Sequence, residues 1–178
     1  IQFPNNLRNQ TALCGIFINN QIALGLRDGF IQIFSCDGHT IATLKEHMAH
    51  ICALNVIRTK TQNYLASAAD VGCSKVIIWD PVNWQPRHIF NHHQAAVTAV
   101  LDLQDDTHIL STGYDSKINI YSLEQGKLVY SVPQTQGPMT SAIVNKNGSR
   151  VVGCGRTKAI YGWQVVRDQR YRVSSLVL

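Results

Sequence analysis

Charge is scarce in this chain of 178 residues, where Asp, Glu, Lys and Arg together make up only 15%. An average soluble domain carries about 25%. Long apolar runs are missing as well. Stretches such as Val76-Ile77-Ile78-Trp79 fall far short of the roughly 20 residues that cross a bilayer as a helix, so no transmembrane segment is expected. Few charges without long apolar runs point to many half-buried strands. The five cysteines (Cys14, Cys36, Cys52, Cys73 and Cys154) are odd in number and include no C-x-x-C pair. That argues against a disulfide framework or a zinc site. All five are read as reduced packing thiols, which fits an intracellular, not secreted, protein. No charged-then-apolar leader follows Ile1, so no signal peptide is expected and the chain reads as beginning inside a longer protein.

A catalytic constellation is also missing. Ser67, Ser111 and Ser116 stand in strands or turns without the G-x-S-x-G elbow. Gly153-Cys154-Gly155 lacks the G-x-x-x-x-G-K-S/T pattern of a phosphate loop. Asp105-Asp106 reads as a solvated turn, not an acid–base pair. Seven histidines invite a metal reading, with His47 and His50 close together and His92 beside His93. Zinc would need them in one place with a third ligand, yet they fall in separate loops. A structural hydrogen bond is expected of His47 and His93, and surface strand ends of His39, His88 and His108. No enzyme activity, cofactor, metal or small-molecule substrate is expected. Sixteen Lys and Arg against eleven Asp and Glu give a net charge of +5 and a pI near 9.1. The basic residues are scattered without a run of four, which reads as ordinary surface charge; attraction to RNA or to an acidic partner is the weaker alternative.

What is present is a repeat. Strand-like runs end in an aromatic at Phe34, Trp79, Tyr121 and Trp163. From Phe34 to Trp79 is 45 residues, from Trp79 to Tyr121 is 42, and from Tyr121 to Trp163 is 42. A period of about 40–45 residues is that of a four-stranded propeller blade. Each period divides into four short runs separated by turn signals. In the first, Asn19-Asn20, Asp28-Gly29 and Asp37-Gly38 punctuate the chain, and the Asp-Gly pairs suggest two-residue hairpins with both central residues at positive φ. Asn147-Gly148 repeats the signal in the last period. Pro81, Pro86, Pro133 and Pro138 are all placed between strands, where a missing N–H costs nothing. Nothing reads as a helix. Trp84, in a connection, suits an interface anchor or a cover over its own sheet.

With these features the sequence resembles the WD-repeat family. The second repeat carries Tyr-Leu-Ala-Ser-Ala-Ala-Asp and then Lys-Val-Ile-Ile-Trp-Asp, ending at Trp79-Asp80. The third keeps a turn Asp at Asp115 with Tyr121 in place of the Trp; the first keeps Asp28 with Phe34; the fourth ends on Trp163. His47 and His93 each stand four residues before a first strand, at Ile51 and Val97, as the family's His does. The resemblance implies that this His, a Ser or Thr, the turn Asp and the Trp tie a blade together. Here Gly113 is aligned with the Ser/Thr place of the third repeat, and the second carries an insertion around Val71-Gly72, so no repeat looks complete.

The expected fold is all-β, a propeller of four-stranded antiparallel blades, about four of them in this chain. Residues 1–12 read as the end of a preceding blade and a linker, followed by blades over 13–46, 47–91, 92–133 and 134–178. Four blades with cut-looking ends suggest part of a larger ring. Loops on one rim would display Arg27, Asp28, Tyr114, Asp115, Arg156 and Lys158, with His47, His50, His92 and His93 between blades. Of these, Arg27, Tyr114, Arg156 and Lys158 are the candidate partner-binding residues, while Asp28 and Asp115 are assigned to turn structure. The implied function is a non-catalytic interaction scaffold in a multi-subunit intracellular assembly, cytoplasmic or nuclear. A receptor for phosphorylated or acidic peptides, of the ubiquitin-ligase adaptor type, using Arg27, Arg156 and Lys158, is the alternative, and an RNA-associated propeller the third reading.

Overall fold

A computed structural model describes residues 10–132, 135, 137–157, 160–167 and 171–176. The expected outer strand at Ile1-Gln2-Phe3 lies outside these residues. Sixteen strands follow one another: β1 (Ala12–Ile18), β2 (Gln21–Leu26), β3 (Ile31–Ser35), β4 (Thr40–Leu44), β5 (Ile51–Arg58), β6 (Asn63–Ala69), β7 (Val76–Trp79), β8 (Pro86–Phe90), β9 (Val97–Asp102), β10 (His108–Gly113), β11 (Ile118–Ser122), β12 (Lys127–Val132), β13 (Met139–Val144), β14 (Arg150–Gly155), β15 (Ile160–Arg167) and β16 (Tyr171–Leu176). They form four antiparallel sheets of four strands each, in strict sequence order, β1–β4, β5–β8, β9–β12 and β13–β16. The first strand of each sheet touches the first strand of the next, so β1, β5, β9 and β13 gather around one axis. This is the propeller arrangement, one sheet to a blade. Among the described residues no helix is long and apolar enough to cross a membrane.

Because side chains alternate between the two sheet faces, each inner blade must offer apolar groups on both. The third strands show this most clearly: every residue of β7 and β11 is buried. Three core layers result, one in each gap between blades. Ile18, Ala23, Ile31 and Ile33 meet Val56, Leu65, Ile77 and Trp79 in the first gap. Ala66, Val76, Ile78 and Phe90 meet Val97, Val100, Ile109 and Tyr121 in the second. Leu101, Leu110, Ile118 and Ile120 meet Met139, Ala142, Val151 and Trp163 in the third. Trp84 joins the first layer at 7% exposure, so it covers the sheet and does not anchor an interface. Hydrogen bonds cross each gap as well. Cys14 Sγ donates to the Ile51 carbonyl at 3.7 Å, Asn55 Nδ2 to Val100 at 2.9 Å and Thr98 Oγ1 to Met139 at 2.9 Å.

Three sequence expectations are corrected. Only Gly29, Gly38 and Gly148 are at positive φ in the Asp-Gly and Asn-Gly pairs, while Asn19 and Asn20 both are; the two-residue turn of mirror-image type therefore sits at Asn19-Asn20. At Asp28-Gly29 the Gly29 amide instead bonds back to Leu26 and the Asp28 carboxylate accepts the Phe30 amide, a wider turn that needs only the glycine in the left-handed region. Pro86 is not between strands but opens β8, opposite Trp79; as the first residue of an outermost strand it needs no ladder donor. Cys52 and Cys154 are exposed, unlike the other three cysteines; Cys52 is on the innermost strand β5 near the axis and Cys154 on β14 of the last sheet.

Gly29 has φ of 90° and sits where a Cβ would come within 2.8 Å of the His47 carbonyl and 2.9 Å of the Ala49 carbonyl. Gly29→Ala is therefore expected to lower unfolding stability by about 2 kcal/mol or more, read from the denaturant midpoint. A variant as stable as the parent would show that this turn relaxes freely.

Candidate functional site

Two kinds of site emerge: buried hydrogen-bonded sets inside the second and third blades, and an open cavity on the axis. The buried sets arise from register. Ser67 on β6 lies opposite Ile77, two residues before Trp79; Ser111 on β10 lies opposite Asn119, two residues before Tyr121. A two-residue step keeps side chains on one face, so each serine hydroxyl and terminal aromatic turn the same way, toward the preceding blade.

In the third blade, His93 Nδ1 donates to the Asp115 carboxylate at 2.9–3.0 Å, and its Nε2 is 2.7 Å from Ser111 Oγ. The Ser111 hydroxyl reaches Tyr121 at 3.4 Å. Ser111, not Gly113, thus fills the hydroxyl place, and this set is complete with Tyr for Trp. Burial by itself would raise the Asp115 pKa, but the His93 bond and the Gln94 and Lys117 amides more than offset it and hold the carboxyl below its usual range. Burial pushes the Tyr121 phenol up to about 12.

The second blade repeats the geometry with Trp79 as its aromatic and a different partner for the histidine Nδ1. His47 Nε2 is 2.7 Å from Ser67 Oγ, which accepts the Trp79 indole N–H at 2.8 Å. Where the third blade has a carboxylate, His47 Nδ1 meets the Cys73 thiol at 3.4 Å. The turn around Val71-Gly72 brings that thiol into the Asp position. With no anion beside it, burial drives the His47 pKa down to about 4, and the nearby Lys75 charge adds to the effect. Asp80, which follows Trp79, stays outside the set and caps the next turn by accepting the Val82 amide at 2.9 Å. Asp28 binds Gln10 and its own turn. Trp163 is buried at 4% exposure against Gly153, where the other two blades have serine, so its blade has no comparable hydroxyl. His88 is half-buried and bonds the Leu123 carbonyl at 2.7 Å.

The cavity opens where the first strands converge. Its volume is about 320 Å³. Leu13, Cys52, Thr98 and Thr140, the second residues of the four first strands, line its walls, with Arg27, Asp70 and Tyr114, each the first residue past the second strand of its blade. His50 completes the rim, its Nδ1–H donating to the Arg27 carbonyl at 2.7 Å. Of the rim residues expected from sequence, Arg27, His50 and Tyr114 come together here. Arg156 holds the equivalent place after β14 but does not line the cavity, and Lys158 lies outside the described residues. Asp70 was not expected. It comes from a different blade than Arg27 and Tyr114, and its one signal is its position after β6, matching theirs. Among the described residues no group of three or more His, Cys, Asp or Glu is placed to hold a metal ion.

The His47 set has a pH consequence. Its folded pKa, about 4, lies below the ordinary 6.5, so the unfolded chain binds the proton more readily. Its contribution is complete above pH 6.5 and is lost as pH falls toward 4, amounting to at most about 3 kcal/mol. Thermal melts across that range should show a falling midpoint, and His47→Gln, though less stable throughout, should show a shallower fall. Cys73→Asp should restore the carboxylate–imidazole pair of the third blade, stabilise by about 1–2 kcal/mol near neutral pH and raise the His47 pKa in an NMR titration. An unchanged pKa would mean that the new carboxylate does not reach the ring.

Comparison with known proteins agrees with this architecture. Residues 84–122 match the family model described as WD domain, G-beta repeat. WD repeat-containing protein 55 of Arabidopsis thaliana is 28% identical over 123 residues, covering 67% of this chain and 34% of the relative. The F-box-like/WD repeat-containing protein TBL1X of Mus musculus is 35% identical over 103 residues, covering 57% of this chain and 18% of that protein. The chain thus spans about a third or less of the length of these two relatives. A chain in the crystal structure of a mitotic checkpoint complex superimposes with a TM-score of 0.79 at 22% identity, over 93% of this chain and 52% of that one. Four matching blades, the buried His–Ser–aromatic sets and these similarities are consistent with the WD-repeat family of β-propellers.

Proposed function

We propose that the chain is a non-catalytic interaction platform for other proteins inside the cell, part of a multi-subunit assembly, and that a partner engages it at the mouth of the axial cavity. The observation that carries this is the convergence of Arg27, His50, Asp70 and Tyr114 from three blades onto one open cavity. Their backbones are fixed by hairpins on packed sheets, so little ordering is lost when a partner docks. Exposed apolar groups stand near by: Met48 is 86% exposed and Val71, next to Asp70, 65%. Arg and Tyr are residues that commonly dominate binding energy. The WD-repeat relatives support the same general role, and the five free cysteines fit a reducing compartment.

The phosphorylated-peptide reading has less support. Its basic cluster of Arg27, Arg156 and Lys158 is not assembled at the cavity, where Arg27 instead shares the walls with Asp70. RNA binding rests on the net charge of +5 alone.

The test is a quantitative comparison of proteins retained by the tagged parent protein and by its Arg27→Glu/Tyr114→Ala variant. A stoichiometric partner set lost from the variant by tenfold or more, with the melting temperature unchanged, is expected. Full retention of every partner would place binding elsewhere on the propeller.

A further inference from the structure

The axial cavity holds charges of both signs that do not neutralise each other. Among the described residues the ion pairs are Lys60–Asp106 and Arg167–Asp105, with His–carboxylate contacts at His93–Asp115 and His108–Asp105; neither Arg27 nor Asp70 takes part. Among the described residues Arg27 is tied through its backbone alone, its amide donating to Thr11 and its carbonyl accepting from His50, and its guanidinium has no partner. The Asp70 carboxylate accepts one bond, from the amide of Val71 in its own turn at 2.6 Å. His50 has its Nδ1–H committed to the Arg27 carbonyl, so when neutral its Nε2 can only accept. The Thr98 and Thr140 hydroxyls are committed to the Met139 and Cys154 carbonyls. The cavity therefore presents one strong cationic donor on the first blade and anionic or neutral acceptors, Asp70 and His50 Nε2, on the second blade and the loop leading into it.

A uniformly acidic ligand would satisfy Arg27 but meet the Asp70 carboxylate, and a uniformly basic one would meet the reverse conflict. Like charges held close in a partly desolvated interface cost several kcal/mol. We propose that the cavity selects a segment of a partner polypeptide that carries an acidic and a basic side chain side by side, the carboxylate going to Arg27 and the ammonium or guanidinium to Asp70 and His50. This rests on the protein-binding reading of the same mouth and names the chemistry of its occupant. Arg27 supplies the bidentate donor geometry suited to a carboxylate. Leu13 and Tyr114 on the walls, 46% and 41% exposed, offer contact area to the aliphatic stems of the two charged residues.

The test uses the full chain and immobilised synthetic peptides of one length in four sets: acidic–basic neighbours, uniformly acidic including phosphorylated residues, uniformly basic, and uncharged. The acidic–basic set should bind about tenfold or more above the other three. Arg27→Glu should shift the preference to the basic set and Asp70→Lys to the acidic set. In the double reversal the preference for mixed charge should return. Both side chains reach solvent, and unchanged circular dichroism and melting would exclude misfolding. Equal binding of the four sets, or single-reversal variants with the parental order, overturns the proposal. If no set binds, yet the Arg27→Glu/Tyr114→Ala variant still loses its natural partners, the mouth remains a protein-binding site and the dipolar segment is wrong. If that variant loses nothing, the site itself is wrong.

Discussion

Everything in this propeller depends on burying both faces of each inner sheet. A strand with one wet face could alternate apolar and polar residues. The third strands here cannot, because a neighbouring blade covers each side, and β7 and β11 consist wholly of buried residues. That constraint explains the 15% charge content: apart from the strand ends at Arg58, Asp102, Arg150 and Arg167, the charged residues among those described are left to loops, outermost strands and the axial mouth. It also explains why the two serines between blades sit in hydrogen-bonded sets. A serine hydroxyl between two blades must find partners or forfeit about 1–3 kcal/mol; Ser67 and Ser111 find a histidine on one side and an aromatic N–H or O–H on the other.

Much of this was legible in the sequence because it is local. The 42–45-residue spacing of Phe34, Trp79, Tyr121 and Trp163 marks the one strand in each blade whose end is pinned by a large buried ring. Turn chemistry marked the hairpins, although it misjudged their type: Asp-Gly suits a wider turn with one left-handed residue as well as the two-residue turn, and the local signal does not separate them. What sequence alone did not deliver depends on register and on contact between blades. The role of Ser111 follows from its lying opposite Asn119, and aligning Gly113 instead, two residues farther along the same strand, missed the hydroxyl. Cys73 looked like packing because a thiol carries no hydrogen-bonding signature; only the fold of the Val71-Gly72 turn puts it against His47. Asp70 joins Arg27 through the curvature of the whole stack, which no short window contains.

The two buried sets differ in their aromatic and in the partner of the histidine Nδ1, and the second difference separates their electrostatics. Asp115 gives His93 an anion, so its blade holds a charge that must stay hydrogen-bonded on several sides, and the Gln94 and Lys117 amides do so. Cys73 gives His47 a weak, neutral partner, and burial then keeps the imidazole uncharged down to about pH 4. The same fold element is therefore built once around a carboxylate and once around a thiol. The neutral version avoids desolvating a carboxylate, and it forgoes the stronger charge-assisted bond.

The axial mouth follows the opposite rule from the interior. Inside, opposite groups are brought within hydrogen-bond reach; at the mouth, equivalent positions after β2, β6 and β10 place Arg27, Asp70 and Tyr114 on separate blades. Each blade holds its own rim residue on a packed sheet, and among the described residues Arg27 and Asp70 form no ion pair with each other. Unpaired charges of opposite sign on a rigid frame are costly to desolvate unless something bridges them, and whatever bridges them must match both. The stiffness that two-faced burial imposes on the sheets is thus what allows a mouth of a few side chains to discriminate between ligands by the order of their charges.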